Sequence, residues 1–199
     1  MGDAADAVKL LQAESIVEAH TLASVLDEYN RNRQVQELET LAAAEAQITD
    51  RGLLNKTAIV VYGHGWHLGV VGIVASRLVQ SYHRPCVVLN INNDGEANGS
   101  GRSIDGINLV EALDGCREHL SRYGGHPMAS GLSLSEKNLP QFDGAFQESI
   151  RRQCPAGHDR FKQRLKLEGD IRFDLLDDQF FAELDDLQPF GHSHPAPRF

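Results

Sequence analysis

Hydrophobic spacing sets out the elements of this chain before any chemistry is considered. From Glu14 to Ile48 there is neither Gly nor Pro, and Leu22, Leu26, Tyr29, Val35, Leu38, Leu41 and Ala42 recur along one amphipathic helical face. The polar run Asn30-Arg31-Asn32-Arg33 interrupts that face, so the pattern predicts one long helix or two joined near Asn30. Ala58-Ile59-Val60-Val61-Tyr62, closed by Gly63, is a short β-branched run of the kind that forms a buried strand. Gly69 to Tyr82, with Val70, Val71, Ile73, Val74, Leu78 and Val79, predicts a helix packed on a sheet. Val87-Val88-Leu89 after Pro85 predicts a second strand, turned by Asn92-Asn93-Asp94-Gly95. Ala97 to Ser103 returns as a third strand or a loop. Asn108 followed by Glu111 has the form of an N-cap and capping box for a helix running to Leu120. Gly131 to Ser135 alternates as a strand, and Leu139 to Gln153 closes the unit with another amphipathic helix.

Strands alternating with helices predict an α/β domain with a central sheet flanked by helices over residues 57–154. Residues 1–56 form a connecting helical segment. Beyond Pro155-Ala156-Gly157 the chain turns polar. There Leu165-Lys166-Leu167-Glu168-Gly169 begins a strand-like pattern, and Asp170 to Phe199 offers one short helix and a Pro/His-rich end. Residues 155–199 are too few for a core of their own and read as the first elements of a further domain.

Composition narrows the class. The 199 residues are 41% hydrophobic and 24% charged, which excludes disordered, collagenous and disulfide-scaffold chains. No apolar run approaches the ~18–20 residues of a membrane span, the N-terminus has no signal-peptide pattern, and Met1-Gly2 is followed by Asp6 where myristoylation requires Ser or Thr. Cys86, Cys116 and Cys154 are odd in number and far apart, which predicts reduced thiols and a cytoplasmic setting. A net charge of −9 argues at first against nucleic acid. Its distribution changes that: residues 57–154 hold 8 basic and 9 acidic side chains, whereas residues 1–56 hold 5 and 10 and residues 155–199 hold 6 and 9.

Three clusters carry candidate chemistry. Gly63-His64-Gly65-Trp66-His67-Leu68-Gly69 sits at a strand-to-helix junction, where glycines let amides approach an anion; a tight turn around a packed Trp would read the same way. His64 and His67 have no nearby third ligand, so a metal site is not supported. Asn98-Gly99-Ser100-Gly101-Arg102-Ser103 offers hydroxyls, amides and a guanidinium to a phosphate, or is a solvated turn. Arg122-Tyr123-Gly124-Gly125-His126-Pro127 can form an amide nest before a short helix, with His126 as donor, or a helix C-cap and turn. No nucleophile elbow, Walker loop or HExxH is present, and the acidic run Asp174, Asp177, Asp178, Asp185, Asp186 reads as a solvated surface.

Together these motifs resemble the RecJ family of bacterial single-strand-specific 5′→3′ DNA exonucleases. The segments that carry the resemblance are Gly65 to Leu78, Gly99-Ser100-Gly101-Arg102-Ser103 and Arg122 to Gly131, in the family's order and spacing, supported by Asn30 to Gln34 and Pro189-Phe190-Gly191. The resemblance implies the end of a DHH phosphoesterase domain with its interdomain helix, a DHHA1 substrate-binding domain, and the start of an OB-type domain. It implies single-stranded DNA as partner, with Ser100, Arg102 and Ser103 at the phosphate of the 5′ end, Gly124, Gly125 and His126 as the family's GGH element, and Trp66 and His67 at the cleft. The family's Mn²⁺ or Mg²⁺ belongs to a DHH domain whose Asp-His-His motif does not occur here. The resemblance therefore implies no cofactor and no catalytic or metal-ligating residue in this chain, which would be a monomer inactive alone. His192 and His194 depart from the family pattern. Two other readings are a nanoRNase or phosphoadenosine-phosphatase relative, which shares a GGH-type motif, and a non-catalytic protein-interaction module.

Overall fold

The computed structural model describes residues 4–154, 161–191 and 193–199; Met1-Gly2, the break at Pro155-Ala156-Gly157 and His192 lie outside them. The chain divides into two compact units, residues 1–162 and 163–199.

In the first unit a short helix α1 (Ala4–Gln12), which the hydrophobic pattern did not announce, precedes α2 (Ile16–Asp50). Ser15 caps α2, its Oγ accepting from the Glu18 amide at 3.2 Å. Of the two alternatives the pattern leaves open, the single helix is the one formed, unbroken at Asn30. Asn30 Oδ1 accepts from Arg33, Arg31 pairs with Asp27, and Arg33 pairs with Glu37, all at three- or four-residue spacing. Polar side chains that answer one another along the helix remove the reason to leave it. Only Glu37, Thr40, Ala44 and Ile48 are buried, so α2 docks through its C-terminal half.

The sheet has five strands: β1 (Ile59–His64), β2 (Cys86–Ile91), β3 (Glu96–Arg102), β4 (Arg122–His126) and β5 (Ala129–Ser135), in the order β1-β2-β3-β5-β4. β1 and β2 are parallel, joined by the crossover helix α3 (Leu68–Tyr82), and the remaining pairs are antiparallel. β1 and β2 are buried on both faces, which is why their sequences read as unbroken apolar runs. Ile59, Val61, Cys86 and Val88 face α3 and the end of α2, packing with Trp66, Val71, Val74, Leu78 and Ile48. Val60, Val87, Leu89 and Leu134 face α4 (Leu109–Asp114) and α5 (Leu139–Arg152), where Phe142 and Phe146 stack with centroids 5.4 Å apart. Burial of each ring contributes about 1.5–3 kcal/mol. Gln147 fastens α5 to β1: its Oε1 accepts from the Ala58 amide and its Nε2 donates to the Ala58 carbonyl, both at 2.8 Å.

The structure decides several open points. Ala97 to Ser103 is mainly strand, because β3 has neighbours on both sides. The helix capped at Asn108 ends at Asp114 rather than Leu120, giving way to a 3₁₀ turn at Arg117–His119. Gly115 lies so close to α5 that a methyl group there would meet Ser149 Oγ at 2.5 Å, which fixes where the helix turns away. Asn108 Oδ1 accepts from the Val110 amide at 3.0 Å, whereas Glu111 answers the Asn108 side-chain amide; the Asn108 backbone N–H goes to Gln153. Replacing Asn108 with Ala is expected to cost about 1 kcal/mol, read as a lowered denaturant midpoint with an unchanged slope.

In the second unit α6 (Asp178–Asp185) is capped by Asp177 and is the predicted short helix, with Phe180 edge-on to Phe199. The strand-like Leu165–Gly169 pattern forms no strand. It gains a single bond, from the Glu168 amide to the Arg198 carbonyl, and among the described residues no strand lies beside it to complete a ladder.

Candidate functional site

Alternation along β3 sends Asn98, Ser100 and Arg102 to one face, the face that α3 covers. Opposite them on β5 stand Ser133, Gly131 and Ala129, and beyond these on β4 stand Arg122, Gly124 and His126. Register thus gathers two separate sequence motifs onto one surface. Helix α3 packs mainly over β2 and β3, so the β5–β4 half of this face lacks that cover. The result is a cleft of about 370 Å³ lined by Leu68 and Val71 from α3 and by Asn98, Ser100, Arg122, Tyr123, Gly131 and Ser133 from the sheet.

The chemistry of this cleft is that of an anion site. Arg102 donates through Nη1 to Ser100 Oγ at 2.7 Å and to the Gly101 carbonyl at 2.8 Å. A methyl at Gly72 would lie 3.0 Å from Arg102 Nη2, so that glycine makes room for the guanidinium beneath α3. Among the described residues no carboxylate lies within ion-pair reach of Arg102 or Arg122. Arg102 stands opposite Ala129 and Arg122 opposite Ser133, so the register sets the two residues at opposite ends of this glycine-bearing face, each able to offer an oxyanion charge and a planar fork of donors. Tyr123 Oη donates to Asp114 at 2.8 Å, which raises its pKa and keeps the phenol protonated.

Other predicted positions are placed differently. Ser103 does not join Ser100 and Arg102: it is buried, its Oγ donates to the Ile107 carbonyl at 2.7 Å, and its amide bonds to Met128. One residue past Arg102, its parity takes it off the shared face. Gly124, Gly125 and His126 form no nest before a helix; they are strand β4, in a hairpin with β5. Gly124 and His126 share the face of Arg102, whereas Gly125, at φ +147°, sits on the opposite parity where a methyl would approach Ser130 Cα at 2.7 Å. The first glycine cluster is a turn around a packed Trp. Trp66 is buried and presses on Gly63, where a side chain would meet the indole Cε2 at 2.6 Å. His67 caps α3, its Nδ1 accepting from the Gly69 amide at 2.9 Å, so that amide is occupied by the chain's own cap. Sequence reasoning missed Arg122, Tyr123 and Ser133 as lining residues; pairing β4 with β5 by register would have found them.

Cys86, Cys116 and Cys154 are buried, and burial pushes the Cys86 thiol up and that of Cys116 up to about 12. Among the described residues no three His, Cys, Asp or Glu side chains come together to hold a metal, and no helix is long and apolar enough to cross a membrane.

Fold and cleft define a DHHA1-type protein: residues 55–152 match the DHHA1 domain family. RecJ exonucleases are homologues of this chain over nearly its whole length, and residues 55–152 with their five-stranded sheet correspond to the DHHA1 region of those proteins. The single-stranded-DNA-specific exonuclease RecJ of Bacillus subtilis is 38% identical over 96% of this chain, and that of Escherichia coli is 31% identical over all of it. These alignments cover only 24% and 35% of those two proteins. Crystal structures of Thermus thermophilus RecJ in complex with Mg²⁺ and with Mn²⁺ superpose with a TM-score of 0.79 at 31% identity, over 98% of this chain and less than a third of theirs. The described residues here hold no donor set fit for those ions, so no step is assigned to a metal in this chain.

Proposed function

We propose that this chain is the strand-holding part of a RecJ-like 5′→3′ single-stranded-DNA exonuclease, binding the phosphates at the 5′ end while hydrolysis belongs to a metal-bearing DHH domain. The observation that carries this reading is Arg102 with Ser100: a guanidinium on a strand, without a carboxylate partner among the described residues, bonded to the hydroxyl of Ser100, which lines the cleft together with Arg122. In it, residues 1–56 are the end of the DHH domain with the interdomain helix, residues 57–154 the DHHA1 domain and residues 155–199 the start of an OB-type domain. Gly124 and His126 border the strand's path, and Trp66 with His67 shapes the cavity beside it. The chain acts as a monomer in the cytoplasm, in DNA repair and recombination; three buried cysteines, odd in number and far apart in sequence, agree with a reducing compartment.

The role is positional. Charge and hydroxyl donors hold the terminal phosphate and keep the strand in register, a contribution made through binding and orientation. The test is fluorescence anisotropy of the purified chain with a 5′-phosphorylated oligo-dT, with and without the terminal phosphate, over a salt series. The reading predicts tighter binding of the phosphorylated strand and an affinity that falls with salt. Indifference to both salt and terminal phosphate would point instead to a protein-interaction module. No cleavage by this chain alone is expected, with Mn²⁺ added.

A further inference from the structure

A second cavity, of about 650 Å³, lies beside the phosphate cleft in the first unit and is lined by Gln36, Glu39 and Thr40 of α2, Gly65 to Leu68 of the β1–α3 junction, and Asn90 of β2. Leu68, 56% exposed on the first turn of α3, lines both cavities and forms the ridge between them. The two hollows differ in chemistry. The first has Arg122 and the Ser100 hydroxyl that Arg102 meets, whereas the second has a carboxylate, two carboxamides, a hydroxyl and the His67 ring.

Three buried side-chain oxygens among the described residues have no hydrogen-bond partner: Gln36 Oε1, Glu37 Oε1 and Asn90 Oδ1. That of Glu37 is answered by the Arg77 guanidinium at 2.5 Å, which leaves the two carboxamides that line this cavity. A buried amide oxygen without a partner costs about 1–3 kcal/mol unless something supplies a donor.

We propose that this cavity is a nucleobase subsite, taking a base of the strand whose 5′ phosphate lies at Ser100 and Arg102, with Leu68 as the ridge the strand crosses. The Glu39 carboxylate disfavours a phosphate there and favours a neutral group that brings N–H donors. Gln36 and Asn90 meet the edge of the base. A carboxamide presents an acceptor on one side and donors on the other, so turning it serves any of the four bases. His67 accepts from the Gly69 amide through Nδ1, which puts the ring proton on Nε2 and adds one donor at the cavity wall. The inference rests on the phosphate reading of Arg102, and its test keeps the two separate.

Binding of the 199-residue chain to a 5′-phosphorylated oligo-dT is compared with binding to a 5′-phosphorylated strand of the same length made of abasic residues. Wild type is expected to favour the base-bearing strand by roughly three- to tenfold, the value of one or two amide hydrogen bonds. The double variant Gln36→Leu and Asn90→Leu is expected to lose that preference while holding the abasic strand as tightly as wild type does, which also shows that it folds. Equal wild-type affinity for the two strands, or a preference that survives in the double variant, overturns the subsite. Arg102→Ala that leaves abasic-strand binding intact overturns the phosphate reading instead.

Discussion

Replacing Arg102 with Ala is expected to weaken binding of a 5′-phosphorylated single strand by roughly 10- to 100-fold, with melting temperature little changed. A hydrogen bond to a charged group is worth about 1.5–3 kcal/mol, and each 1.4 kcal/mol is tenfold in affinity. The fold does not depend on this guanidinium: its partners are Ser100 Oγ and the Gly101 carbonyl one and two residues away, and no buried carboxylate is stranded by its loss. Removing one phosphate contact should also reduce the slope of log affinity against log salt by about one. Arg102→Lys should restore charge but not the planar fork, recovering only part of the affinity while returning the salt slope. An Arg102→Ala chain that binds like wild type would place the phosphate elsewhere.

The second large effect is on stability, at Gly99. This residue pairs with Leu89 across the β2–β3 ladder and with Leu132 across β3–β5, so it sits mid-sheet with a strand on each side. A methyl group there would fall within the envelope of the Val88 carbonyl oxygen and lie 2.8 Å from Leu89 Cα, both backbone atoms that cannot move aside without opening the ladder. Overpacking a tight site costs about 1–3 kcal/mol and more when backbone must shift, so Gly99→Ala is expected to reach or exceed about 3 kcal/mol. Chemical denaturation measures it directly. Because Ser100 and Arg102 follow on the same strand, the variant should also bind DNA poorly under conditions where it is still folded. Gly124→Ala is the control: nothing lies within 4 Å of the added methyl, and stability should change little.

These expectations show how unevenly the site was legible. Residues 97–103 read equally as a strand or a loop, so which of Ser100, Arg102 and Ser103 share a face was decided only by the pairing of β3 with β2 and β5. Ser103, which the family resemblance groups with Ser100 and Arg102, lies just past the end of β3, and its hydroxyl turns to the Ile107 carbonyl. The glycines at 124 and 125 carry conformational freedom that suits a nest, a cap or a hairpin alike, and only the pairing with Ala129–Ser135 selected the hairpin. The charge argument followed the same course. The net −9 is a property of the whole chain, whereas the placement of Arg122 in the cleft and of Arg102 against Ser100 at its wall is local, which no sum over residues can locate.

The sequence by itself determined the α/β class, the positions of the long helix, of β1, β2 and β5, and of α3 and α5, and the Asn108 cap, because periodicity, capping and β-branched runs act within a few residues. It also held the family resemblance, carried by three motifs in order. Only the tertiary structure decided that β3 is a strand between two others, that Arg122, Gly124 and His126 share a face with Arg102, that Trp66 is core, and that Gln36 from α2 and Asn90 from β2 line one cavity. Those relations are made by pairing and packing between residues tens of positions apart, and local propensity contains no information about which distant partner a strand or helix will meet.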